Sequence, residues 1–317
     1  MIKAGIDIGT NSTRLIVADF KDGSYKTLHR EARVTRLGQD VDKTSRLASE
    51  AIARTVEVIK DYTRIADKLG AGVIRATTTS AARDAKNTGD FIDLVKAKTG
   101  IELEVLSPEK EAKLSFLGAT YSTLPSSLST LVMDIGGGST ELILGSPRHV
   151  KFSFSKNIGC VRLYELFIEN DPPISSEIEA IRNYVRDIYS KEINQIKKTG
   201  DFQLIGTAGT ITTLAAINLG LKEYDPSIVH GSLLSKEKID EILKQFLSMT
   251  LKQRKEIPVM EPGRADVIVA GTTIASTLLE TLSVKKLIVS EADILDGIIL
   301  DVPEGGLEPP HHKGNGF

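Results

Sequence analysis

Apolar residues at the start of the chain form two short runs on either side of a glycine-containing turn. Residues 2–8 are mostly apolar and lead into Gly9, and residues 15–20 form a second run that ends at a Lys-Asp-Gly turn signal at 21–23. Short apolar runs bounded by turn residues are typical of strands. The pattern therefore predicts a β-hairpin.

Helical and extended patterns alternate after this hairpin. The predicted elements are a helix over 46–69 that stops at Gly70, a strand over 73–76, an interrupted helical stretch over 81–99 and a strand over 101–106. Ser107-Pro108-Glu109 is typical of a helix start, because it combines a hydroxyl cap, a proline at the first position and a carboxylate in the first turn. Glu111 is therefore expected in the first turns of a helix.

A second series of elements follows Pro125. It comprises strands over 130–135 and 141–144 around a turn at 136–138, a helix over 177–197, a strand over 203–205, a glycine-rich turn leading into a helix, helices over 236–247 and 274–282, a strand over 286–289 and a helix over 294–300. The alternation predicts an α/β fold with two domains. We place them at 1–124 and 125–302, leave open that the terminal helix at about 292–301 packs back on the first domain, and predict a disordered Pro- and Gly-rich tail at 303–317.

The first turn of each half carries nearly the same sequence. The segments DIGTNSTRLIV, from Asp7, and DIGGGSTELIL, from Asp134, match at seven of eleven positions. Small residues let backbone N–H groups approach phosphate oxygens, and hydroxyls add donors. The predicted phosphate-binding residues are Gly9, Thr10, Asn11, Ser12, Gly136, Gly137, Gly138 and Ser139. The alternative is a pair of hairpins whose glycines serve only the turn, and the repetition of the motif in both halves argues against it.

The acidic residues of the two loops are candidates for metal binding and for handling water. Asp7 and Asp134 are assigned to Mg²⁺ or another divalent cation such as Mn²⁺, because Mg²⁺ prefers a few carboxylates together with substrate oxygens. Turn capping is the alternative. Glu141 follows the second loop where the first has Arg14, and we expect it to orient a water molecule or bind metal; a surface ion pair is the alternative.

The glycine-rich turn in the second half is a further candidate. Gly206, Thr207 and Gly209 lie between a predicted strand and a predicted helix, where backbone amides can hold an anion or approach a nucleoside. A plain strand-to-helix turn is equally compatible with the pattern. Cys160 is interpreted as a packing residue.

Charge and composition limit the function classes. Lys plus Arg number 40 and Asp plus Glu number 42, so the net charge of −2 gives no global attraction to nucleic acid or to anionic membranes. A single cysteine excludes an intrachain disulfide, and the sequence has neither an amino-terminal targeting pattern nor an apolar run of about 20 residues. We expect a soluble, cytoplasmic protein that binds neither DNA nor a membrane.

The ordered set of motifs resembles a known family. Two α/β halves that each open with such a loop are similar to the superfamily of actin, heat-shock chaperone ATPases and sugar kinases, which has two ribonuclease H-like domains with a cleft between them. Within it, the chain resembles the exopolyphosphatase and guanosine pentaphosphate phosphohydrolase (Ppx/GppA) family over nearly all of residues 2–300. The resemblance also rests on Arg36-Leu-Gly-Gln, residues 76–85, Pro108-Glu-Lys-Glu-Ala-Lys-Leu, Ile158-Gly-Cys-Val-Arg-Leu, Asp171-Pro-Pro and Val229-His-Gly.

The resemblance implies roles for two residues that the local pattern leaves open. Glu111 aligns with the family's catalytic glutamate, the general base, whereas its position alone suggests a carboxylate that complements the helix dipole. Arg83 aligns with an arginine near the reacting phosphate; a surface ion pair with a neighbouring aspartate is the alternative. Lys113 and Leu295 occupy positions where the family has arginine. Lys113 keeps the positive charge but cannot make the two-pronged hydrogen bonds of a guanidinium, and Leu295 has no charge.

The activity implied by the resemblance is metal-dependent hydrolysis of a phosphoanhydride bond. The expected substrate is inorganic polyphosphate, which would lose its terminal phosphate, with guanosine pentaphosphate as the competing substrate. Longer family members add a helical carboxy-terminal region, so we expect this protein to bind long polyphosphate chains more weakly than those members do. A kinase of the same superfamily, and a non-catalytic regulator that binds guanosine tetra- or pentaphosphate, are the alternatives. The sequence leaves the metal, the preferred substrate and a homodimer open.

Overall fold

Two β-sheets form the centre of the molecule. The computed structural model describes residues 1–21, 24–121, 128–146 and 149–301. The first sheet, in the order β3-β2-β1-β4-β5, contains β1 (Ile2–Ile8), β2 (Ser12–Lys21), β3 (Ser24–Val34), β4 (Val73–Thr78) and β5 (Leu103–Val105). The second, in the order β10-β11-β9-β6-β7-β8, contains β6 (Ser129–Ile135), β7 (Thr140–Ser146), β8 (His149–Lys156), β9 (Phe202–Thr207), β10 (Leu233–Ser235) and β11 (Lys286–Val289). The predicted boundary at Pro125 and the tail at 303–317 lie outside the described residues.

Helices alternate with these strands along the chain. They are α1 (Val41–Thr44), α2 (Ser49–Lys68), α3 (Ser80–Asp84), α4 (Thr88–Thr99), α5 (Pro108–Tyr121), α6 (Cys160–Phe167), α7 (Ser175–Lys197), α8 (Ala208–Asn218), α9 (Pro226–Val229), α10 (Lys236–Leu247), α11 (Leu251–Lys255), α12 (Ile268–Leu282) and α13 (Ile294–Leu300). The predicted α/β class is confirmed. Within the described segments, no helix is both long and apolar enough to cross a membrane.

The two sheets repeat one arrangement. β1 pairs antiparallel with β2 and parallel with β4, and β6 pairs in the same way with β7 and β9. The register places Asp7 opposite Arg14 in the first sheet and Asp134 opposite Glu141 in the second. The repeat in the sequence is therefore also a repeat in the structure.

Each sheet has its own hydrophobic core. Both β1 and β6 are buried along almost their whole length, which is typical of strands covered on both faces. Helix α2 packs Val56, Ile59 and Tyr62 into the first core, and α7 packs Val185 and Tyr189 into the second. These cores hold the loops at the ends of β1 and β6 in place.

A close helix crossing joins the two halves behind the loops. Helices α5 and α13 meet where Gly118 faces the backbone of Asp293 and Gly297 faces the backbone of Leu114, and a Cβ at either glycine would overlap that backbone. Only glycine permits such an approach. Helix α13 also packs on the first sheet, where Leu295 and Ile299 share a hydrophobic cluster with Ile16 and Ala18 of β2. The crossing fixes the start of α5, which carries Glu111, relative to the start of α13.

Candidate active site

The turns after β1 and β6 are closed by the same hydrogen bond. Gly9 N donates to Ser12 O at 2.9 Å, and Gly136 N donates to Ser139 O at 3.0 Å. A Cβ on either glycine would lie 3.2 Å from the acceptor oxygen of its own turn. The two sequence copies therefore build turns that are closed by the same backbone hydrogen bond.

The two loops face each other at close range. A Cβ on Gly137 would lie 3.0 Å from Thr10 Cβ, and one on Gly138 would lie 2.6 Å from Ser80 Oγ and 2.7 Å from Thr10 Oγ1. The Thr10 and Ser80 hydroxyls are hydrogen-bonded at 2.9 Å. Glycine in the second loop is thus required by the approach of the first, and a narrow cleft of about 90 Å³ remains between them.

Most of the residues predicted from the sequence line this cleft. They are Asp7, Gly9, Thr10, Asn11, Ser12, Glu111, Asp134, Gly136, Gly137, Gly138, Ser139, Glu141 and Gly209. Arg83, Gly206 and Thr207 do not line it.

The glycine-rich turn at 206–209 presents only its last residue to the cleft. Gly206 is packed between Ile211 and Leu287, each about 3.0 Å from a Cβ built on it. The Thr207 hydroxyl donates to two backbone carbonyl oxygens that follow β11, at 3.2 Å each. Gly209 lies against the guanidinium of Arg264, which a Cβ would overlap. Gly206 and Thr207 hold the turn, and Gly209 shapes the cleft.

Glu111 lies in the first turn of α5 and is only 7% exposed. Arg83 Nη1, from α3, donates to Glu111 Oε2 at 2.6 Å and to Leu106 O at 2.9 Å. Arg83 therefore binds the Glu111 carboxylate through Oε2 only. Glu111 Oε1 takes no part in the bond to Arg83. Asp84, the neighbour considered for Arg83 in the sequence, instead pairs with Arg162 at 2.6 Å.

Three more carboxylates are buried around the cleft. Asp7, Asp134 and Glu141 are 3%, 6% and 2% exposed. Ser155 Oγ donates to Glu141 Oε1 at 2.6 Å, and Ser139 and Ser115 bond to Glu141 and Asp134. Burial at this depth excludes the surface ion pair considered for Glu141.

The protein environment shifts all four carboxyl groups in the same direction. Burial raises the pKa of Glu111 to about 7 against the attraction of Arg83. Burial also raises the pKa of Asp134 to about 6, with a further contribution from the charge of Asp293. Burial and then the charge of Glu111 raise the pKa of Glu141 well above its usual value, and burial raises the pKa of Asp7. Without a cation, the cleft therefore tends to hold protons near neutral pH.

The residues fit a divalent cation that binds together with a phosphate substrate. Among the residues that the structure describes, no three His, Cys, Asp or Glu side chains already form a metal-binding cluster. Asp7 Oδ1, however, is buried without a hydrogen-bond partner. A buried carboxylate oxygen without a partner is costly unless a cation reaches it. Mg²⁺ commonly takes only one or two carboxylates and completes its shell with water and phosphate oxygens.

Several residues around the cleft were not on the predicted list. Arg14, Ser80, Ser115 and Arg264 line it, and Asp293 binds Arg14 from the start of α13. Of these, Arg14 carries a signal in the sequence as the counterpart of Glu141, and Ser80 lies in the motif at 76–85. The others reach the cleft through tertiary packing.

Cys160 borders the cleft as a buried thiol. Its side chain is 6% exposed, and burial raises the pKa of the thiol to about 11. At this pKa only a small fraction of the thiol is ionised at neutral pH, and the thiolate is the nucleophilic form. The structure thus supports the interpretation of Cys160 as a packing residue.

Known proteins resemble this chain along almost its whole length. Residues 16–304 match the sequence model of the Ppx/GppA phosphatase family. Exopolyphosphatase 2 of Mycobacterium tuberculosis is 39% identical over 312 residues, which cover 94% of this chain and 98% of that protein. A solved structure of the Aquifex aeolicus member of the Ppx/GppA family has a TM-score of 0.80 at 36% identity and covers 95% of this chain and 96% of its own.

An exopolyphosphatase from Cytophaga hutchinsonii has the same fold. Its structure has a TM-score of 0.88 at 28% identity and covers 94% of this chain and 96% of its own. Together with the two repeated sheets, these matches confirm the predicted fold of two ribonuclease H-like, actin-like ATPase units with a cleft between them.

Proposed function

The chain belongs to the Ppx/GppA phosphatase family, and from that premise we propose that it is a metal-dependent exopolyphosphatase, which hydrolyses the terminal phosphoanhydride bond of inorganic polyphosphate. The observation that carries this proposal is the position of Glu111, a buried carboxyl group with a pKa of about 7, in a cleft between two copies of one loop. Phosphoanhydride hydrolysis requires a positioned water, a proton acceptor and donors for the transferred phosphoryl group. The cleft supplies residues for each of these tasks.

The paired loops bind the terminal phosphate. Their glycines let backbone amides approach phosphate oxygens, and Thr10, Ser12 and Ser139 add hydroxyl donors. The space between the loops is about 90 Å³, which supports end-on entry of a chain, with one phosphate group held at the loops. A substrate held in this way loses its last phosphate first.

Glu111 accepts the proton of the attacking water. The water oxygen forms a bond to the terminal phosphorus, the bond from that phosphorus to the bridging oxygen breaks, and the products are orthophosphate and a shortened chain. A base is most effective when its pKa lies near the working pH, and about 7 meets that condition. Arg83 keeps Glu111 oriented and opposes the effect of burial.

Glu141 acts as a hydrogen-bond donor to the phosphoryl group. Burial and the charge of Glu111 raise the pKa of its carboxyl group well above the usual value, which favours the protonated form that can donate. Ser155 fixes the carboxyl group through Oε1. Two neighbouring carboxyl groups whose environments differ in this way divide the work between a base and a proton-bearing partner.

Asp7 and Asp134 would hold a divalent cation, Mg²⁺ or Mn²⁺. The free Oδ1 of Asp7 and the buried carboxylate of Asp134 are the oxygens available for it. When bound, the cation would supply positive charge that stabilises the negative charge on the phosphate oxygens and the leaving group.

Guanosine pentaphosphate is the second candidate substrate, because a larger cavity adjoins the cleft. This cavity, of about 560 Å³, shares Arg14, Gly209 and Arg264 with the cleft. Its wall includes Tyr224, Pro258, Val259, Met260 and Leu295. An apolar wall next to a phosphate site is suited to a nucleoside.

Phosphate release from a panel of substrates tests the proposal. Tripolyphosphate, longer polyphosphates, guanosine pentaphosphate and ATP are incubated with the protein and Mg²⁺, and orthophosphate is measured. We expect release from polyphosphate that stops when EDTA removes the metal. A higher kcat/KM for pentaphosphate would favour the second candidate. Tight binding of pentaphosphate without release from any substrate would contradict an enzyme and indicate a regulator.

A further inference from the structure

The cleft that is proposed to bind a polyanion is itself acidic. Four carboxyl groups and two guanidinium groups line it, the guanidiniums being those of Arg14 and Arg264. Arg264 is paired with Glu261 at 3.2 Å. Arg14 is the cation that belongs to the first copy of the repeat. It lies on β2, directly opposite Asp7 on β1. Whether the Arg14 guanidinium is bound to carboxylates therefore decides whether the first loop can offer a positive charge to a phosphate.

Arg14 is held by two carboxylates at once. Its Nη2 and Nε donate to Asp7 Oδ2 at 2.6 and 3.1 Å, and its Nη1 donates to Asp293 Oδ2. One guanidinium group thus faces two carboxyl groups. The edge of Arg14 that would form a two-pronged contact with a phosphate is already bonded to protein.

Asp293 is fixed in place from several sides. It is 3% exposed and caps α13, where its Oδ1 accepts Leu295 N at 2.9 Å, and its own N–H donates to Asp296 Oδ2 at 2.9 Å. Arg30 lies 3.6 Å from Asp293 Oδ1 and makes a bidentate pair with Asp296. Asp293 can therefore not swing away from Arg14 without breaking the start of the helix.

We propose that Asp293 is a specificity-determining residue, which neutralises Arg14 so that the first loop accepts phosphate only together with a divalent cation. The inference rests on the proposed function, because it concerns the same cleft. With Arg14 neutralised, backbone amides and the cation remain to attract the substrate. The protein would accordingly distinguish metal-complexed polyphosphate from the free anion.

Asp293→Asn separates the charge of this residue from its structural role. Asparagine caps a helix about as well as aspartate does, so α13 keeps its first turn, and Arg14 loses one of its two anionic partners. The freed Nη1 can then donate to a phosphate oxygen. Asp293→Ser, which also provides a favourable cap, is a second variant with the same expectation.

The test is isothermal titration calorimetry with sodium tripolyphosphate, with EDTA and then with Mg²⁺. We expect wild type to bind the metal-free anion weakly and Asp293→Asn to bind it about tenfold more tightly, with a steeper dependence on salt, as a new charge-assisted hydrogen bond implies. The gain should vanish in an Arg14→Gln background. Asp61→Asn is the matched control, because Asp61 also pairs with arginines, Arg33 and Arg64, but on the outer helix α2.

Each result either supports or overturns the inference. Unchanged or weaker metal-free binding in the folded Asn and Ser variants would overturn it, as would an equal gain in Asp61→Asn or in the Arg14→Gln background. If wild type released no phosphate from any substrate and the Asn variant still gained affinity, the proposed function would fail and this inference would stand.

Discussion

Glu111→Gln is expected to abolish turnover and, at the same time, to stabilise the metal-free protein. Glutamine retains the shape of the side chain and an oxygen that accepts the Arg83 hydrogen bond, but it cannot take a proton from water. Loss of a general base costs about 10²- to 10⁴-fold in rate. We therefore expect kcat for phosphate release to fall by that factor, with a smaller change in KM.

The gain in stability follows from the raised pKa of Glu111. Because this pKa rises from 4.5 to about 7 on folding, the stabilisation from Glu111 is complete below pH 4.5 and is lost as the pH rises through about 7. Above that pH the ionised group costs about 3 kcal/mol in the metal-free folded state. In the absence of metal, the free energy of unfolding of Glu111→Gln should exceed that of wild type by up to this amount at pH 8.5. The two proteins should be equally stable near pH 4.5.

The assay combines phosphate release with urea unfolding in EDTA at both pH values. Glu109→Gln is the matched control, because Glu109 lies in the same helical turn but is exposed, and the backbone at the helix start lowers its pKa. We expect that control to keep its activity and to gain no stability at high pH. Near-normal turnover in Glu111→Gln, or a loss of stability at pH 8.5, would refute the reasoning.

Three further predictions concern the same cleft. Arg83→Gln removes the charge that lowers the pKa of Glu111, so the acid limb of the kcat/KM profile should move to higher pH; an unmoved limb in a pH titration would contradict this. Asp7→Asn should raise the Mg²⁺ concentration for half-maximal activity by about tenfold or more, which a metal titration measures. Gly138→Ala should lower the free energy of unfolding by about 1–3 kcal/mol, because its Cβ would meet the Ser80 and Thr10 hydroxyls. Gly89→Ala, where a Cβ meets nothing within 4 Å, should be neutral or stabilising in the same urea titration.

The elements predicted best were those with strong apolar patterns. The predicted helices over 236–247 and 294–300 coincide with α10 and α13, and the strand over 286–289 coincides with β11. Their periodicity reflects deep burial on one or both sides, which the sequence records directly.

Three strands were missed, and each lies at the edge of its sheet: β10, which has only three residues, and the longer β3 and β8. β3 and β8 are the outer strands on the antiparallel side of each sheet, and along both of them exposed and half-buried positions replace a continuous apolar run. An edge strand needs few buried residues, because its backbone is paired on one side only. Its sequence therefore resembles that of a loop.

The site was predictable where it depends on local sequence and not where it depends on packing. The repeat that begins at Asp7 and Asp134 indicated both loops and the correspondence of Arg14 with Glu141. The pairing of Arg83 with Glu111 joins α3 to the start of α5 through a side-chain contact and has no local signature. The same is true of Asp293, which meets Arg14 from the far end of the chain.

The measurement that tests the central claim most directly is hydrolysis of tripolyphosphate with Mg²⁺ in ¹⁸O-labelled water, followed by mass analysis of both products. If Glu111 directs water onto the terminal phosphorus held between the two loops, one ¹⁸O atom per turnover must appear in orthophosphate, and the pyrophosphate product must be unlabelled. Label in pyrophosphate, or the absence of any release, would contradict the account.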